Sequence, residues 1–302
     1  MARDALSHRV TVGASGGGSS SPSALLHDHL AGAIIVTSGA AHAVVNAILK
    51  SGRDKMSSRA LIDGFSALII LPAAFFLPLP TGAWGWMAAS APIHLVYLLG
   101  LIKAFEEADM MVAYPLFRGL APALASVVAV GVFREPISLP VAMGVALVSA
   151  GVLATALGRH MAPATVAWSV LTGVMIALYT VVDAQGVRAA PSAPSYIVWL
   201  FLIEGVMIAG AFALLRGPRF LASARTEWKA GLAAGVLSIV TYGLALWAFR
   251  LGATPRLAAP RETSILFGVL IAIAFLKERA TVARLAGVAA IAAGAAVLLA
   301  SG

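Results

Sequence analysis

Residues 112–135 read VAYPLFRGLAPALASVVAVGVFRE, and residues 256–278 read RLAAPRETSILFGVLIAIAFLKE. Each run is largely apolar and holds an arginine in its interior, Arg118 or Arg261, followed 17 residues later by a glutamate, Glu135 or Glu278. The correspondence continues past the runs. Gly144 matches Gly287, Gly151 matches Gly294, and all four pairs stand 143 positions apart. Repetition at constant offset through membrane-like segments marks two related halves of a transporter. A guanidinium inside a bilayer costs roughly 2.5–3.5 kcal/mol on insertion scales. Two of them at matching places point to an interior that they serve.

Composition agrees with a membrane setting. The chain has 302 residues, of which 60% are hydrophobic and 11% charged, against about 25% charged in soluble domains. Mean hydropathy is +0.93. The net charge of +8 does not argue for nucleic acid, because the basic residues fall mostly in short connections between apolar runs, where membrane orientation explains them. There is no cysteine, hence no disulfide, thiolate nucleophile or cysteine metal site. Residues 1–27 differ from the rest. GASGGGSSSPS at 13–23 cannot bury a core, and no apolar stretch follows Arg3 and Arg9 to make a signal peptide. The expectation there is a disordered tail.

Ten apolar segments of spanning length follow, at about 30–49, 61–79, 83–104, 110–133, 137–157, 165–187, 195–215, 231–250, 257–276 and 281–300. They are continuous and about 20 residues long, which fits helices and not the short alternating strands of a barrel. The fold class expected is an all-α polytopic membrane protein. Ten transmembrane helices divide into five-helix repeats at 28–160 and 161–302. Five is odd, so the second repeat enters the membrane from the opposite side and the repeats are inverted. Positive charge divides 6 against 13 between the two faces, which favours termini outside.

The repeated ends of the halves carry a resemblance. Residues 112–135 and 256–278 look like the fourth and ninth helices of the EamA branch of the drug/metabolite transporter superfamily, and 137–157 and 281–300 like its fifth and tenth. The first helix, with His42-Ala43-Val44-Val45-Asn46 and Lys50, and the sixth, with Tyr179-Thr180-Val181-Val182-Asp183, resemble one bacterial subgroup. The resemblance spans about 30–302. It implies two inverted five-helix repeats around a central cavity, helices 4 and 9 lining it and helices 5 and 10 peripheral. It also implies transport of small metabolites without a bound cofactor, amino acids in some members and other polar solutes in others. Both termini would be cytoplasmic, against the charge count.

The substrate-binding candidates are Arg118, Arg261, His42, Asn46, Tyr97 and Tyr242. Either arginine suits a cavity-facing clamp for a carboxylate or phosphate-like group. For Arg118 the competing reading is a structural ion pair with Asp183, Glu204 or Glu262. Pro115 and Pro260 precede the arginines and would kink or break their helices. His42 and Asn46, four apart, form one polar stripe on the first helix, serving either the cavity or interhelical hydrogen bonds. Glu204 and Asp183 are the coupling candidates, as carboxylates that hold a transported proton or pair with arginine. Glu135 and Glu278 read as interfacial pairs or caps.

No GxxxxGK[ST] loop supplies ATP drive, and no HExxH pattern occurs. No metal-ligand spacing is seen. The expectation is a secondary transporter, not an enzyme, of a small polar amino-acid-like or other anionic solute. It would sit as a monomer or homodimer in the plasma membrane, possess no cofactor, and engage the lipid bilayer and a proton. The rivals are a membrane enzyme acting on a lipid-linked substrate, and a scaffold or sensor that does not transport.

Overall fold

A computed structural model describes residues 22–51, 53–107, 110–155, 162–265 and 282–301. All regular structure among them is helical. In chain order the helices are α1 (Pro22–Ser51), α2 (Lys55–Ile70, extended by a 3-10 turn at Leu71–Phe75), α3 (Trp84–Glu107), α4 (Met110–Gly131) and α5 (Leu139–Ala154). The second half holds α6 (Pro163–Ala189), α7 (Ala193–Arg216), α8 (Pro218–Leu251), the short α9 (Thr254–Ala258) with a 3-10 turn at Pro260–Thr263, and α10 (Val282–Ala300). Among the described residues, six helices are long and apolar enough to cross a membrane. Shorter apolar helices lie at Leu30–Gly39, Leu139–Ala154 and Leu285–Ala300.

Side-chain placement is that of a protein in lipid. Large apolar groups stand outside: Phe75, Phe76 and Leu214 are each more than 80% exposed, and Val206 and Val127 each 68%. Charged groups stand inside, Arg118, Asp183, Arg261 and Glu262 among them. Water would reverse both preferences. A hydrocarbon surround removes the penalty on outward apolar groups and confines ionic ones to an interior where they find partners.

Several boundaries depart from the sequence reading. α1 starts at Pro22, inside the stretch expected to be tail. Proline suits the first helical turn, and Ala24, Leu25 and Leu26 continue it. α8 starts at Pro218, a dozen residues before the apolar segment. Residues 218–230 hold no helix breaker after that first proline, so a polar helical extension precedes the span. Residues 1–21 lie outside the described residues, as does 266–281 with most of the expected ninth span and Glu278.

The helices pair most extensively as α5 with α10, α2 with α7, α3 with α6, α1 with α8 and α4 with α6. The repeated glycines serve the first of these contacts. A Cβ on Gly151 would sit 2.8 Å from the Gly287 carbonyl oxygen, and one on Gly287 would sit 2.6 Å from that of Gly151. Only hydrogen fits there, which is how small residues bring helices together without a hydrophobic drive. The prolines matter at the centre. Pro115 and Pro122 lie inside α4. Pro255 and Pro260 open the two short turns that replace a continuous helix before Ser264. Arg261 and Glu262 therefore sit on a broken segment, where side chains leave the backbone in directions a regular helix does not offer.

Candidate functional site

The buried polar residues converge on a cavity of about 60 Å³ lined from α1, α2, α3, α6, α7, α8 and the 3-10 turn. Larger hollows lie elsewhere. One of about 320 Å³ opens between Arg53, Ser58, Thr226 and Glu227 at the helix ends. That site lies at helix ends, where Arg53 is exposed, whereas Glu204 and Arg261 of the central cavity are buried. Charge out of water is what a protein keeps only for a reason, so the smaller cavity is the candidate.

Its walls are aromatic. His94 stacks on Tyr179 with centroids 4.0 Å apart and planes at 29°, and meets Tyr242 edge-on at 5.7 Å. Tyr97 lies 5.2 Å from Tyr179. The spacing that produces this is short: Ser90, His94 and Tyr97 recur at helical intervals on one face of α3, and Tyr179 and Asp183 are one turn apart on α6.

Four carboxylates among the described residues enter this interior. Asp63 is held by Arg59, one turn earlier on α2, through Nε at 2.7 Å and Nη2 at 2.6 Å. Glu262 lies 3.0 Å from Arg118 Nε, an ion contact without hydrogen-bond alignment. Arg118 also donates from Nη2 to Ser264 Oγ at 3.3 Å. Glu204 Oε1 lies 2.9 Å from His94 Nδ1 and accepts from Ser90 Oγ at 3.1 Å. Asp183, fully buried, accepts from Tyr196 Oη at 2.9 Å and from Tyr242 Oη. The oxygens of Asp183 and Glu204 and the ring nitrogen of His94 lie within 4.8 Å of one another. Protein groups already occupy them, so they form a hydrogen-bonded cluster.

Arg261 is the exception. It is 5% exposed and lines the cavity, and its Nε has no hydrogen-bond partner. Among the described residues no carboxylate lies within ion-pair distance of it. Its contact is with the Tyr242 ring, 5.1 Å from Cζ to centroid. It also borders a second, smaller hollow beside Arg118 and Glu262.

The structure thus brings Arg261, His42, Tyr97, Tyr242 and Glu204 to one cavity, with Asp183 bonded to its wall. Arg118 stands behind that wall, tied to Glu262, one of the three partners its sequence context offered. Asn46 is on α1, one turn beyond His42; its side chain lies outside the described residues. Sequence reading missed Arg59 and Asp63, which look like a loop-proximal charge and an N-terminal helix residue. Their i, i+4 spacing was the available signal. Glu135 is a structural anchor whose partner is not the adjacent Arg134. It pairs with Arg188 at 2.6 Å and accepts from the Thr254 backbone N–H at 2.7 Å, joining the α4–α5 connection to α6 and the start of α9.

Comparison with known proteins agrees with this architecture. Residues 164–300 match the model of the EamA-like transporter family, which makes this a multi-pass membrane protein of transporter type. No curated protein matches the sequence. A solved structure described as "Crystal structure of protein" shares the fold, with a TM-score of 0.68 over 92% of this chain and 96% of its own, at 18% identity.

Proposed function

We propose that this protein, carrying an EamA-like transporter unit at residues 164–300, is a secondary transporter of a small polar metabolite with an anionic group, amino-acid-like or otherwise. It moves that solute across the plasma membrane by alternating access between two inverted five-helix repeats. The observation that carries this reading is Arg261, a buried guanidinium that lines the central cavity with no carboxylate within ion-pair distance among the described residues. A charge kept at that cost suits a ligand's anion, which a planar fork receives through two parallel hydrogen bonds.

The remaining parts have roles around it. Tyr242 holds the guanidinium over its ring and orients Asp183 through its hydroxyl. Tyr97 and His42 shape the cavity, with Asn46 on the same stripe as His42. Arg118 braces the broken segment through Glu262 and Ser264. The Glu204 and Asp183 cluster is the place for a coupling proton. A cavity of about 60 Å³ holds a few waters and no metabolite. Loading the site therefore requires the repeats to part, and the proline-broken turn bearing Arg261 is the natural point of movement.

The test is uptake into proteoliposomes of a panel of amino acids, small carboxylates and phosphorylated metabolites, with and without a proton gradient. Arg261→Gln is expected to lower transport of the accepted solute at least tenfold while keeping the folded yield. Wild-type transport by Arg261→Gln, or no transport of any anionic solute by the wild type, overturns the reading.

A further inference from the structure

Three hollows lie in line from one end of the helix bundle to its centre. At that end α4, α6 and α8 finish and α9 begins, and Glu135, Pro136, Arg188, Arg250 and Gly252 line a hollow of about 240 Å³. Ala125, Thr180, Phe249 and Ala258 line a second hollow of about 10 Å³, room for about one water. The spacing fixes the order. Thr180 lies eight residues before Arg188 on α6, and Ala258 four residues after Thr254 on α9, so both stand one or two turns further in. The inner hollow borders Arg261, which also lines the central cavity.

What separates the outer hollow from the inner one is a single carboxylate and its donors. Glu135 Oε1 accepts from Arg188 Nη1 at 2.6 Å, Gln185 Nε2 at 2.8 Å and Thr254 Oγ1 at 2.9 Å, and Oε2 accepts from the Thr254 backbone N–H at 2.7 Å. Arg188 spends its other nitrogens on the carbonyls of Phe249 and Gly252, so its guanidinium also holds the end of α8. Glu135 belongs to the first half of the chain and all these partners to the second. Its side chain is 9% exposed, so water competes little for the bonds. Arg250 makes a comparable set, to the carbonyls of Val187, Ala190 and Pro191, but both sides of it lie in the second half, which it braces without tying it to the first.

Thr254 adds a consequence. Only the two short turns of α9 and Pro260–Thr263 connect it to Arg261, so the bonds that close this end also hold the start of the segment carrying the guanidinium. The ties between halves at the opposite end, Asp54 with Arg216 and Ser58 with Glu227, do not reach that segment. We infer that Glu135 is a releasable latch between the two halves of the chain, closing one end of the route to Arg261, and that its release joins the outer hollow to the inner one. The purpose of release rests on the transport reading above; the closure rests on the geometry.

The chain has no cysteine, so one introduced thiol reports access. Thr180→Cys places it on the inner hollow. Ser169→Cys places it on the same helix nearer the opposite end, equally buried, as a control for general loosening. Each is labelled in full-length protein in detergent micelles with a cationic methanethiosulfonate, which avoids hydrocarbon. Both thiols should react slowly with Glu135 intact. Glu135→Gln, which removes the charge that gathers the donors, should speed the Thr180→Cys reaction at least tenfold and leave Ser169→Cys unchanged, in protein whose unfolding by circular dichroism remains cooperative. An unchanged Thr180→Cys rate, or equal acceleration of both thiols, overturns the latch. Should Glu135→Gln not fold, Thr254→Val, which removes one of the bonds and keeps the shape, decides by the same two rates. Selective acceleration together with no transport of any solute defeats the proposed function and leaves the latch intact. Arg261-dependent transport with unchanged labelling does the reverse.

Discussion

Arg118 and Arg261 occupy corresponding places in two halves of one sequence, yet their surroundings differ. Arg118, 3% exposed, is pinned by Glu262 and Ser264. Arg261, 5% exposed, rests on the Tyr242 ring beside a cavity and meets no carboxylate among the described residues. Each arginine has an aromatic ring, Tyr114 at 5.5 Å for the first and Tyr242 at 5.1 Å for the second. What separates them is one acid. Glu262 follows Arg261 in the chain but turns to Arg118, because the 3-10 turn at Pro260–Thr263 sends consecutive side chains in different directions. A single glutamate on the broken segment thus holds one of the two arginines, and under the proposed function the other is left for a ligand.

Breaking that asymmetry should produce the largest effect. Arg118→Gln strands Glu262, 3% exposed, as a buried carboxylate, at a cost of about 3–5 kcal/mol. Thermal unfolding monitored by circular dichroism in detergent should show a large drop, or folded yield should collapse. Arg261→Gln should shift the same transition little, because no carboxylate partner among the described residues is left behind. Equal losses for the two variants would mean that both arginines are structural.

This asymmetry was out of reach of the sequence. The apolar runs, their length and the constant offset made the helical membrane fold legible, because hydrophobic length is a local property. The arginines stood out for the same reason: a charge in an apolar run needs no structure to be noticed. Their partners were different. Three acids were plausible for Arg118, and the choice of Glu262 depended on how a proline-broken turn points. The His94–Glu204 contact joins residues 110 positions apart on α3 and α7, which no spacing rule connects. Arg59 and Asp63 carried an i, i+4 signal but sat where a helix start was hard to tell from a loop. The early starts of α1 and α8 were hidden because polar helix has no hydropathic mark.

The glycines are the case in which the halves stayed alike. Gly151 and Gly287 each press on the other's backbone carbonyl, so neither has diverged in role. Gly151→Leu and Gly287→Leu should each destabilise by about 1–3 kcal/mol, since the obstruction is backbone and gives way only by moving a helix. The measurement is the unfolding midpoint of both variants beside the wild type. Unequal losses would show that the α5–α10 contact has become one-sided, as the arginine sites have. Wild-type stability in both would show that the helices part without penalty.

The smallest effect comes from asking whether pairing or burial sets the worth of an ion pair here. Arg59–Asp63 and Lys103–Glu106 are both pairs within one helix, at 2.6 and 2.7 Å. In the first, the side chains are 18% and 8% exposed; in the second, 48% and 41%. Near-equal distances make them a controlled contrast. An exposed pair recovers most of its solvation when broken, so Lys103→Gln should cost about 0.2–1 kcal/mol, at the edge of detection. Arg59→Gln leaves Asp63 on a desolvated cavity wall and should cost clearly more, though less than Arg118→Gln because Arg59 is the more accessible arginine. Raising the salt concentration should remove the Lys103 effect and leave the Arg59 effect largely in place, since screening reaches only charges that meet solvent. Equal and salt-insensitive losses would break the argument at its base: the acid's burial would no longer explain why Arg118 is held and Arg261 left open.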